Sequence, residues 1–392
     1  MVAAGGASTT VGERSATPLL GSADESWDLV IVGGGPAGLA TAIVAAEQDL
    51  NVLVLERRDL PMDKVCGEGI LPPGVRALEQ LGVTPLLDPS QFHPFTGIRF
   101  IQEDGTAAEG WLPREGLGIR RTVLVEAMTR RAAQAGAVIR HRCEATSVER
   151  NAAESIVQTR AGKMSARLVV AADGLRSPLR RVAGLEAEPN VRRRFALRQH
   201  YQIRPWTDLV EVYVDSIGEG VVTPVSPDSI NVNFTWEHGA IAEPTITSLA
   251  ARFPKLQERL RGAPPLSPVE GAGPMGRPVK GRTAERLTLI GDASGFVDSI
   301  SGEGLSIAFN SALALGKLLP EMLARGATRE SLAGYEKLAR RRFRAYRTVT
   351  NVMLWLARHP RARSAAIRYL AKHGRIFNAM MGAAMKTMAP AG

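Results

Sequence analysis

Leu29-Val30-Ile31-Val32, followed at once by Gly33-Gly34-Gly35-Pro36-Ala37-Gly38, is the stretch on which the fold turns. A short apolar run that opens at Asp28 meets a glycine-rich turn. An alanine-rich, helix-compatible segment then runs from Leu39 to Gln48. A second apolar run, Asn51-Val52-Leu53-Val54-Leu55, ends in Glu56. Each part has a physical task. Gly33 permits the tight turn, Gly35 lets the backbone approach a pyrophosphate, and Gly38 lets the helix lie close to the strand. The first turn of the helix offers free N–H groups to phosphate. Glu56 stands 23 residues after Gly33, where a carboxylate can accept from a ribose diol. Strand, turn, helix, strand and acid together form a strong dinucleotide signature.

The same letters could be mistaken for a membrane span, because Leu29 to Ala46 is 18 residues without a charge. The Gly-Gly-Gly-Pro turn inside it favours strand and helix, and a soluble protein is expected. A second GxGxxG, Gly271-Ala272-Gly273-Pro274-Met275-Gly276, has no apolar strand before it, and Pro278 blocks a following helix. It is expected to be loop, which leaves one dinucleotide fold and no second one for a nicotinamide.

Two further segments have the form of a strand running into an acid. Leu168-Val169-Val170-Ala171-Ala172 leads to Asp173-Gly174, and Leu287-Thr288-Leu289-Ile290 leads to Gly291-Asp292. Gly302-Glu303-Gly304 and a helix-like run from Leu305 to Leu318 follow. Taken with the first motif, these resemble the flavoprotein monooxygenase superfamily built like the aromatic hydroxylases, which also holds geranylgeranyl reductases and flavin halogenases. The resemblance covers about Asp28 to Leu319.

It implies an α/β protein. An FAD-binding, Rossmann-like domain of the glutathione-reductase type would be assembled from residues 27–90, 114–185 and 271–330. A β-rich substrate-binding sheet would come from 91–113 and 186–270. A flexible tail over 1–26 and basic helices over 331–392 complete the expectation. The resemblance also implies roles. Gly33, Gly35 and Gly38, with Pro36 and Ala37 between them, hold the FAD pyrophosphate. Glu56 holds the adenosine ribose, with Arg57 beside it. Arg121 starts a helix that reaches the cofactor. Asp173 and Gly174 match the family's Asp-Gly motif, and Asp292 the aspartate on the ribityl chain. Gly302 and Gly304 match the turn near the flavin ring, and Cys66 and Gly67 a Cys-Gly pair beside it. A helix starting near Leu305 would turn its positive end toward the anionic edge of reduced flavin.

The departures from the hydroxylases are specific. Ser294-Gly295-Phe296 follows Asp292 where a His is usual, and Asp298-Ser299-Ile300 stands where a Pro would be. Lys64-Val65-Cys66-Gly67-Glu68-Gly69 looks like the reductase and halogenase branch. The aromatic-rich stretch of the geranylgeranyl reductases is not recognisable, nor are the halogenase Lys and Trp-x-Trp motifs. Cys66 reads as a packing residue or plain neighbour of the flavin before a redox group.

On the substrate side, Thr96–Gly110 reads as a hairpin around Asp104-Gly105. Phe195–Asn233 alternates like strands broken at Gly218-Glu219-Gly220. Arg198, His200 and Gln202 share one face by period-two counting, with Leu197, Tyr201 and Ile203 on the other. His200 is a candidate polar group in the cleft, with a solvent-facing position the plainer expectation. No metal pattern and no hydrolase triad appear, so catalytic side chains are left unassigned and no metal is expected.

Composition bounds the rest. The chain has 392 residues, 45% hydrophobic and 22% charged, which suits globular domains and excludes disordered, collagen-like or coiled-coil classes. Two cysteines, Cys66 and Cys143, cannot build a disulfide framework, so a reducing, cytoplasmic location is expected. Residues 1–26 carry acids and no apolar signal core. The formal charge is +10, yet no carboxylate follows Glu336, while 13 Lys or Arg do. That segment reads as helices over Tyr335–Arg358 and about Pro360–Met381, with Val349, Val352, Met353, Trp355 and Leu356 on one side of the first. A buttress with a solvated basic face is expected first, a surface docking on anionic lipid second, and nucleic-acid binding last. No nucleic-acid partner is expected.

These features lead first to an FAD-dependent monooxygenase that uses NADH or NADPH and oxygen on a hydrophobic small molecule, such as a prenylated aromatic of specialised metabolism. The second expectation is an FAD-dependent reductase or dehydrogenase of an isoprenoid or quinone. A flavin-binding carrier or membrane-associated interaction protein comes third.

Overall fold

The computed structural model describes residues 26–189 and 193–388. Of the expected tail, only Ser26 is among them. In chain order the strands are β1 (Ser26–Val32), β2 (Val52–Leu55), β3 (Gly69–Ile70), β4 (Phe92–Gln102), β5 (Ala107–Ile119), β6 (Val138–Arg140), β7 (Ala145–Arg150) and β8 (Ser155–Thr159). They continue with β9 (Gly162–Ala171), β10 (Arg194–Gln202), β11 (Leu209–Val214), β12 (Gly218–Ser226), β13 (Ser229–Glu237), β14 (Glu270–Ala272), β15 (Thr283–Ala284) and β16 (Leu287–Leu289). The helices are α1 (Pro36–Ala46), α2 (Pro72–Gln80), α3 (Arg121–Gln134), α4 (Pro178–Val182) and α5 (Ile246–Ala250). After them come α6 (Pro254–Leu260), α7 (Gly304–Ala324), α8 (Ala333–Arg358), α9 (Pro360–Lys372) and α10 (Gly374–Met388).

The first sheet has the order β15-β16-β9-β1-β2-β6, with the β7–β8 hairpin hung on β9. β16, β9, β1, β2 and β6 run parallel. Leu29 and Ile31 of β1 enter a core shared with α1, α3 and α7, through Leu39, Met128 and Phe309. Val30 and Val32 enter the opposite core, with Val157 of the hairpin and Met164 of β9. Both faces are covered, which is why the strand reads as an unbroken apolar run rather than an alternating one. The uncharged stretch Leu29–Ala46 is thus divided between β1, a turn and α1. Among the described residues, α7 is the one helix long and apolar enough to cross a bilayer, and most of it is buried against neighbouring elements.

The second sheet has the order β14-β10-β13-β12-β11-β4-β5-β3 and is antiparallel except where β11 runs along β4. One face packs on α5 and α6 through Phe234, Trp236, Leu249 and Phe253. The other receives α9 and α10, whose Ile367, Phe377 and Met385 lie against Phe95 and Val212.

Several elements differ from the sequence reading. β5 runs on to Ile119, because Gly116 and Leu117 still pair with Phe95 and Pro94, and Gly118 pairs with Gly69 of β3. The second GxGxxG is not wholly loop. Glu270–Ala272 forms β14, held to β10 by main-chain pairing opposite Arg198. Gly218-Glu219-Gly220 does not break the strands but opens β12; the turn is at Asp215–Ile217, where the Asp215 carboxylate accepts from the N–H groups of Ile217 and Gly218. The last helix is two helices, separated at His373, whose backbone leaves the helical region. The inner face of α8 is Tyr335, Ala339, Tyr346, Thr350 and Leu354, while Val352 and Trp355 face water. Hydrogen bonds decide this orientation: the Tyr346 hydroxyl donates to the Asp298 carbonyl at 2.7 Å, and the Thr350 hydroxyl donates to Ser301 Oγ at 3.2 Å.

One glycine substitution tests the close approach of α1 to β1, and a second, in α8, is its control. A Cβ on Gly38 would overlap the Gly33 carbonyl oxygen and crowd the Ala172 methyl. Gly38→Ala is expected to lower stability by about 3 kcal/mol or more, the upper end for overpacking. Gly334→Ala, where a Cβ meets nothing within 4 Å in α8, is expected to raise it by about 0.4–1 kcal/mol. Urea-unfolding midpoints check both.

Candidate functional site

The turn after β1 is fixed by backbone geometry. Gly33 has φ 114°, and its N–H donates to the Leu55 carbonyl at 2.8 Å. A side chain there would run into the Ala172 carbonyl of the neighbouring strand. Gly35 caps α1 without a side-chain partner, and Pro36 stands at the first helical position. The first-turn N–H groups of α1, at Ala37 and Gly38, have no intrahelical acceptor. Around Gly35, only the tip of Met62 comes within 4 Å of where a Cβ would be. Glu56 is buried; its Oε2 accepts from Gly34 N at 2.8 Å and its Oε1 from Arg58 N at 3.0 Å. The acid at the end of β2 therefore also holds the glycine turn in shape. Arg57 beside it is exposed.

The two later acids lie past the ends of adjacent parallel strands, β9 and β16. Arg180, fully buried, ties them together. Its guanidinium donates to the carbonyls of Leu175 at 2.9 Å and Ala293 at 3.1 Å, just beyond each motif. Asp173 Oδ2 accepts from Leu179 N at 3.1 Å, which caps α4. Its other oxygen has no partner, and burial pushes this carboxyl up. Asp292 is paired with Lys64 Nζ at 2.8 Å. Burial opposes its charge, but the Lys64 ammonium, with Arg121 and Arg180 nearby, holds it below the usual carboxylate range. Lys64 Nζ also lies 3.7 Å from where a Cβ on Gly174 would stand. Lys64 thus joins both acid motifs at one place.

The Cys66-Gly67-Glu68 loop faces the second sheet. Cys66 Sγ accepts from Glu68 N at 3.3 Å, and the Cys66 carbonyl accepts from Asn231 Nδ2 at 2.9 Å. Glu68 has φ 58° and is buried. Its Oε1 accepts from Arg121 N at 2.7 Å at the start of α3, and its Oε2 meets His200 Nε2 at 2.6 Å. On the far side of the ring, Arg198 Nη1 meets His200 Nδ1 at 2.7 Å. A guanidinium only donates, so Nδ1 accepts and the His200 proton sits on Nε2, donated to Glu68. His200 is therefore not a solvent-facing strand residue. Period-two counting places it with Arg198 on one face, but the loop from Asp63 to Glu68 covers that face, and both are fully buried. Gln202, on the same face at the strand end, is exposed.

Gly302 and Gly304 flank Glu303 at the start of α7. Cβ atoms built on Gly67, Gly302 and Gly304 meet nothing within 4 Å, so these three backbones border open space. Glu303 is 3% exposed, and its Oε2 has no hydrogen-bond partner. Burial alone pushes its carboxyl from 4.5 up to about 8.

The residues present fit FAD. The glycine turn and α1 give a phosphate cradle. Unpartnered buried atoms remain at Arg121 Nε, Asp173 Oδ1, Asn231 Oδ1 and Asn233 Oδ1. Open space lies beside the Cys-Gly and Gly-Glu-Gly segments, where the resemblance sets the ring. A family model described as an FAD binding domain matches residues 26–352. The chain belongs to the FAD-binding domain family of oxidoreductases.

This flavoprotein is 29% identical to a menaquinone reductase of Mycobacterium tuberculosis over 326 residues, 77% of this chain and 78% of that one. It is 30% identical to digeranylgeranylglycerophospholipid reductase 1 of Methanopyrus kandleri over 325 residues, 76% of this chain and 80% of that one. The fold matches p-nitrophenol 4-monooxygenase from Pseudomonas putida with a TM-score of 0.80 at 18% identity, over 94% of this chain and 100% of that one. It also matches halogenase PltM in complex with phloroglucinol and FAD, with a TM-score of 0.73 at 18% identity, over 88% and 85% of the two chains. At that identity the solved structures establish the fold alone.

Sequence reading missed four residues of this flavoprotein's site: Lys64, Glu68, Arg180 and Glu303. Glu68 and Glu303 sit inside the very motifs quoted for their glycines, and a charged residue between two such glycines was the available signal. Lys64 opens the same quoted Cys-Gly segment, and Arg180 carried no signal.

Two substitutions test the site. Glu56→Ala removes the acceptor of the Gly34 N–H at the turn and of the Arg58 N–H after β2, each such bond worth about 1.5–3 kcal/mol. FAD affinity, read from the quenching of flavin fluorescence on adding apoprotein, is expected to fall at least about tenfold. Cys66→Ala is expected to leave FAD content and turnover unchanged, because the neighbouring anchors are the Cys66 carbonyl and the Glu68 carboxylate. A loss of turnover with normal FAD content would instead make the thiol a reacting group.

Proposed function

We propose that this oxidoreductase is a reductase of a hydrophobic isoprenoid or quinone, using NADH or NADPH. The observation that carries the reading is Glu303, a carboxylic acid held protonated by burial, beside the open space of the site. Saturating a carbon–carbon double bond, or reducing a quinone, consumes one hydride and one proton per step. FAD, held by the glycine turn and the acids around Lys64, would supply the hydride chemistry when bound. Glu303 supplies the proton at neutral pH, as Oε2 has no competing hydrogen bond within the protein. It regains a proton from solvent after product leaves. The start of α7 beside it adds a positive dipole end to the same space. Glu68 and His200 position the Cys66–Gly67 loop and the start of α3 opposite.

The relatives found by sequence support this direction, since their names are those of reductases acting on menaquinone and on digeranylgeranylglycerophospholipids. Oxygen insertion, the first expectation from the motifs, uses the same cofactor and is the competing outcome of the test.

The holoprotein is incubated anaerobically with NADH or NADPH and a panel of prenylated quinones and isoprenoid lipids. A product heavier by two hydrogens supports the proposal. A product heavier by one oxygen, formed only in air, overturns it. Glu303→Gln is expected to keep nicotinamide-driven bleaching of the yellow protein while product formation falls about 10²–10⁴-fold. Unchanged product formation would remove Glu303 from the chemistry.

Stability gives an independent readout. Glu303 binds its proton more tightly folded than unfolded, so its contribution is complete below 4.5 and is lost as pH rises through about 8. Glu303→Gln lacks that loss. Its urea midpoint relative to the unaltered protein is expected to rise across this window, by at most about 1.4 kcal/mol for each pH unit.

A further inference from the structure

The outward side of α8 changes chemistry half-way along. Lys337, Arg341, Arg344, Thr348, Val352 and Trp355 recur at steps of three and four, so they stack on one side of the helix. All six are exposed. The stripe begins as cations and ends apolar, with Val352 at 54% and Trp355 at 52% exposure. Tyr369 on α9 and Ile376 and Met380 on α10 are likewise exposed. Single exposed apolar residues need no explanation, but five within the last three helices, beside unpaired cations, do.

The bases of this segment divide into two sets. Arg358 and Arg363 turn inward and pair with Glu237 and Glu103, Arg368 pairs with Asp104 at the surface, and Arg342 donates to the Asn310 carbonyl. These fasten the segment to the body. Lys337, Arg341, Arg344 and Arg347 on α8, and Lys372 and Arg375 beyond it, are exposed and meet no carboxylate among the described residues. No Asp or Glu follows Glu336, so nothing local neutralises them.

We propose that this face is a docking surface for an anionic membrane. Lipid phosphates meet the cations, and Val352 and Trp355 at the apolar end of the stripe enter the boundary between headgroups and acyl chains. Charge selects this occupant. A second copy of the same face would set unneutralised cations against cations. Nucleic-acid phosphates would satisfy the cations but leave the aliphatic Val352 without a use.

The inner side of the same helix gives the surface a place in the reaction. Tyr346 and Thr350 brace Asp298 and Ser301, directly before Gly302-Glu303-Gly304. The docking face is the back of the helix that supports the acid's turn. A substrate dissolved in the bilayer would meet the protein on the side where its chemistry is housed; this last point alone rests on the proposed substrate class.

The full-length holoprotein is sedimented with vesicles of phosphatidylcholine alone and of phosphatidylcholine mixed with phosphatidylglycerol. Binding is expected to the mixed vesicles only, and to fall as salt rises. Arg341→Glu/Arg344→Glu is expected to weaken it about tenfold or more, with FAD content and nicotinamide-driven bleaching unchanged. Brominated lipids are expected to quench part of the tryptophan fluorescence, and Trp355→Phe to remove that part. Equal binding to both vesicle types, or none to either, overturns the proposal. So does tighter binding to a short duplex DNA or RNA than to mixed vesicles at the same salt, or a dimer in light scattering that the double reversal dissolves. Vesicle binding needs no turnover, so a failed reductase assay leaves this result readable.

Discussion

The junction of the two sheets is made of charge. Arg198, fully buried on β10, holds Asp63 from the cofactor side at 3.0 Å and Glu270 of β14 at 2.6 Å. Through His200 it reaches Glu68, and through Glu68 the start of α3. Such a group is expensive to bury and more expensive to leave unpaired: removing one partner of a buried pair costs about 3–5 kcal/mol. Apolar packing alone would let the sheets slide. A fork of directed bonds fixes one relative placement, and the open space beside the Cys-Gly and Gly-Glu-Gly segments has its shape because of it. A second buried knot, Arg194 with Glu219 and Asp298, repeats the device nearer α8.

Within that frame the site is a meeting of strand ends. β1, β9 and β16 are parallel neighbours, so their C-terminal ends deliver the glycine turn, Asp173 and Asp292 to one edge. Parallel order alone brings them near; Arg180 and Lys64 set their distances. The site is polarised. Cationic groups, Lys64, Arg121 and Arg180, gather around Asp292, while Glu303 is a carboxyl kept neutral by burial. One group is stabilised by its neighbours and the other by their absence.

Much of this was legible. Both faces of the first sheet are covered, so its strands read as continuous apolar runs, and an acid at the end of such a run stands out. The glycines at 33, 35 and 38 were readable because each answers a backbone requirement. What could not be read depends on distant pairing. Nothing local tells that His200 faces Glu68, 132 residues away. The inner stripe of α8 was hidden for a related reason. Its buried stripe includes Tyr335, Tyr346 and Thr350, which are held inside by hydrogen bonds, whereas of the apolar side Val352 and Trp355 face water and Val349, Met353 and Leu356 are half-buried. The break between α9 and α10 carried no proline, only His373-Gly374.

The order of the strands in the first sheet has a bearing on how the chain is made. β9 sits between β1 and β16, yet β16 is spelled only at Leu287–Leu289, after all of β10 to β14. During synthesis the early strands therefore wait with one side of β9 uncovered while a whole second sheet is completed. That second sheet also draws β3, β4 and β5 from before β9, so neither sheet can close from one continuous stretch. Such nested, long-range pairing slows folding and prolongs the exposure of strand edges. The hairpin β7–β8, laid along β9 by nearby sequence, is the element available early to shield that strand.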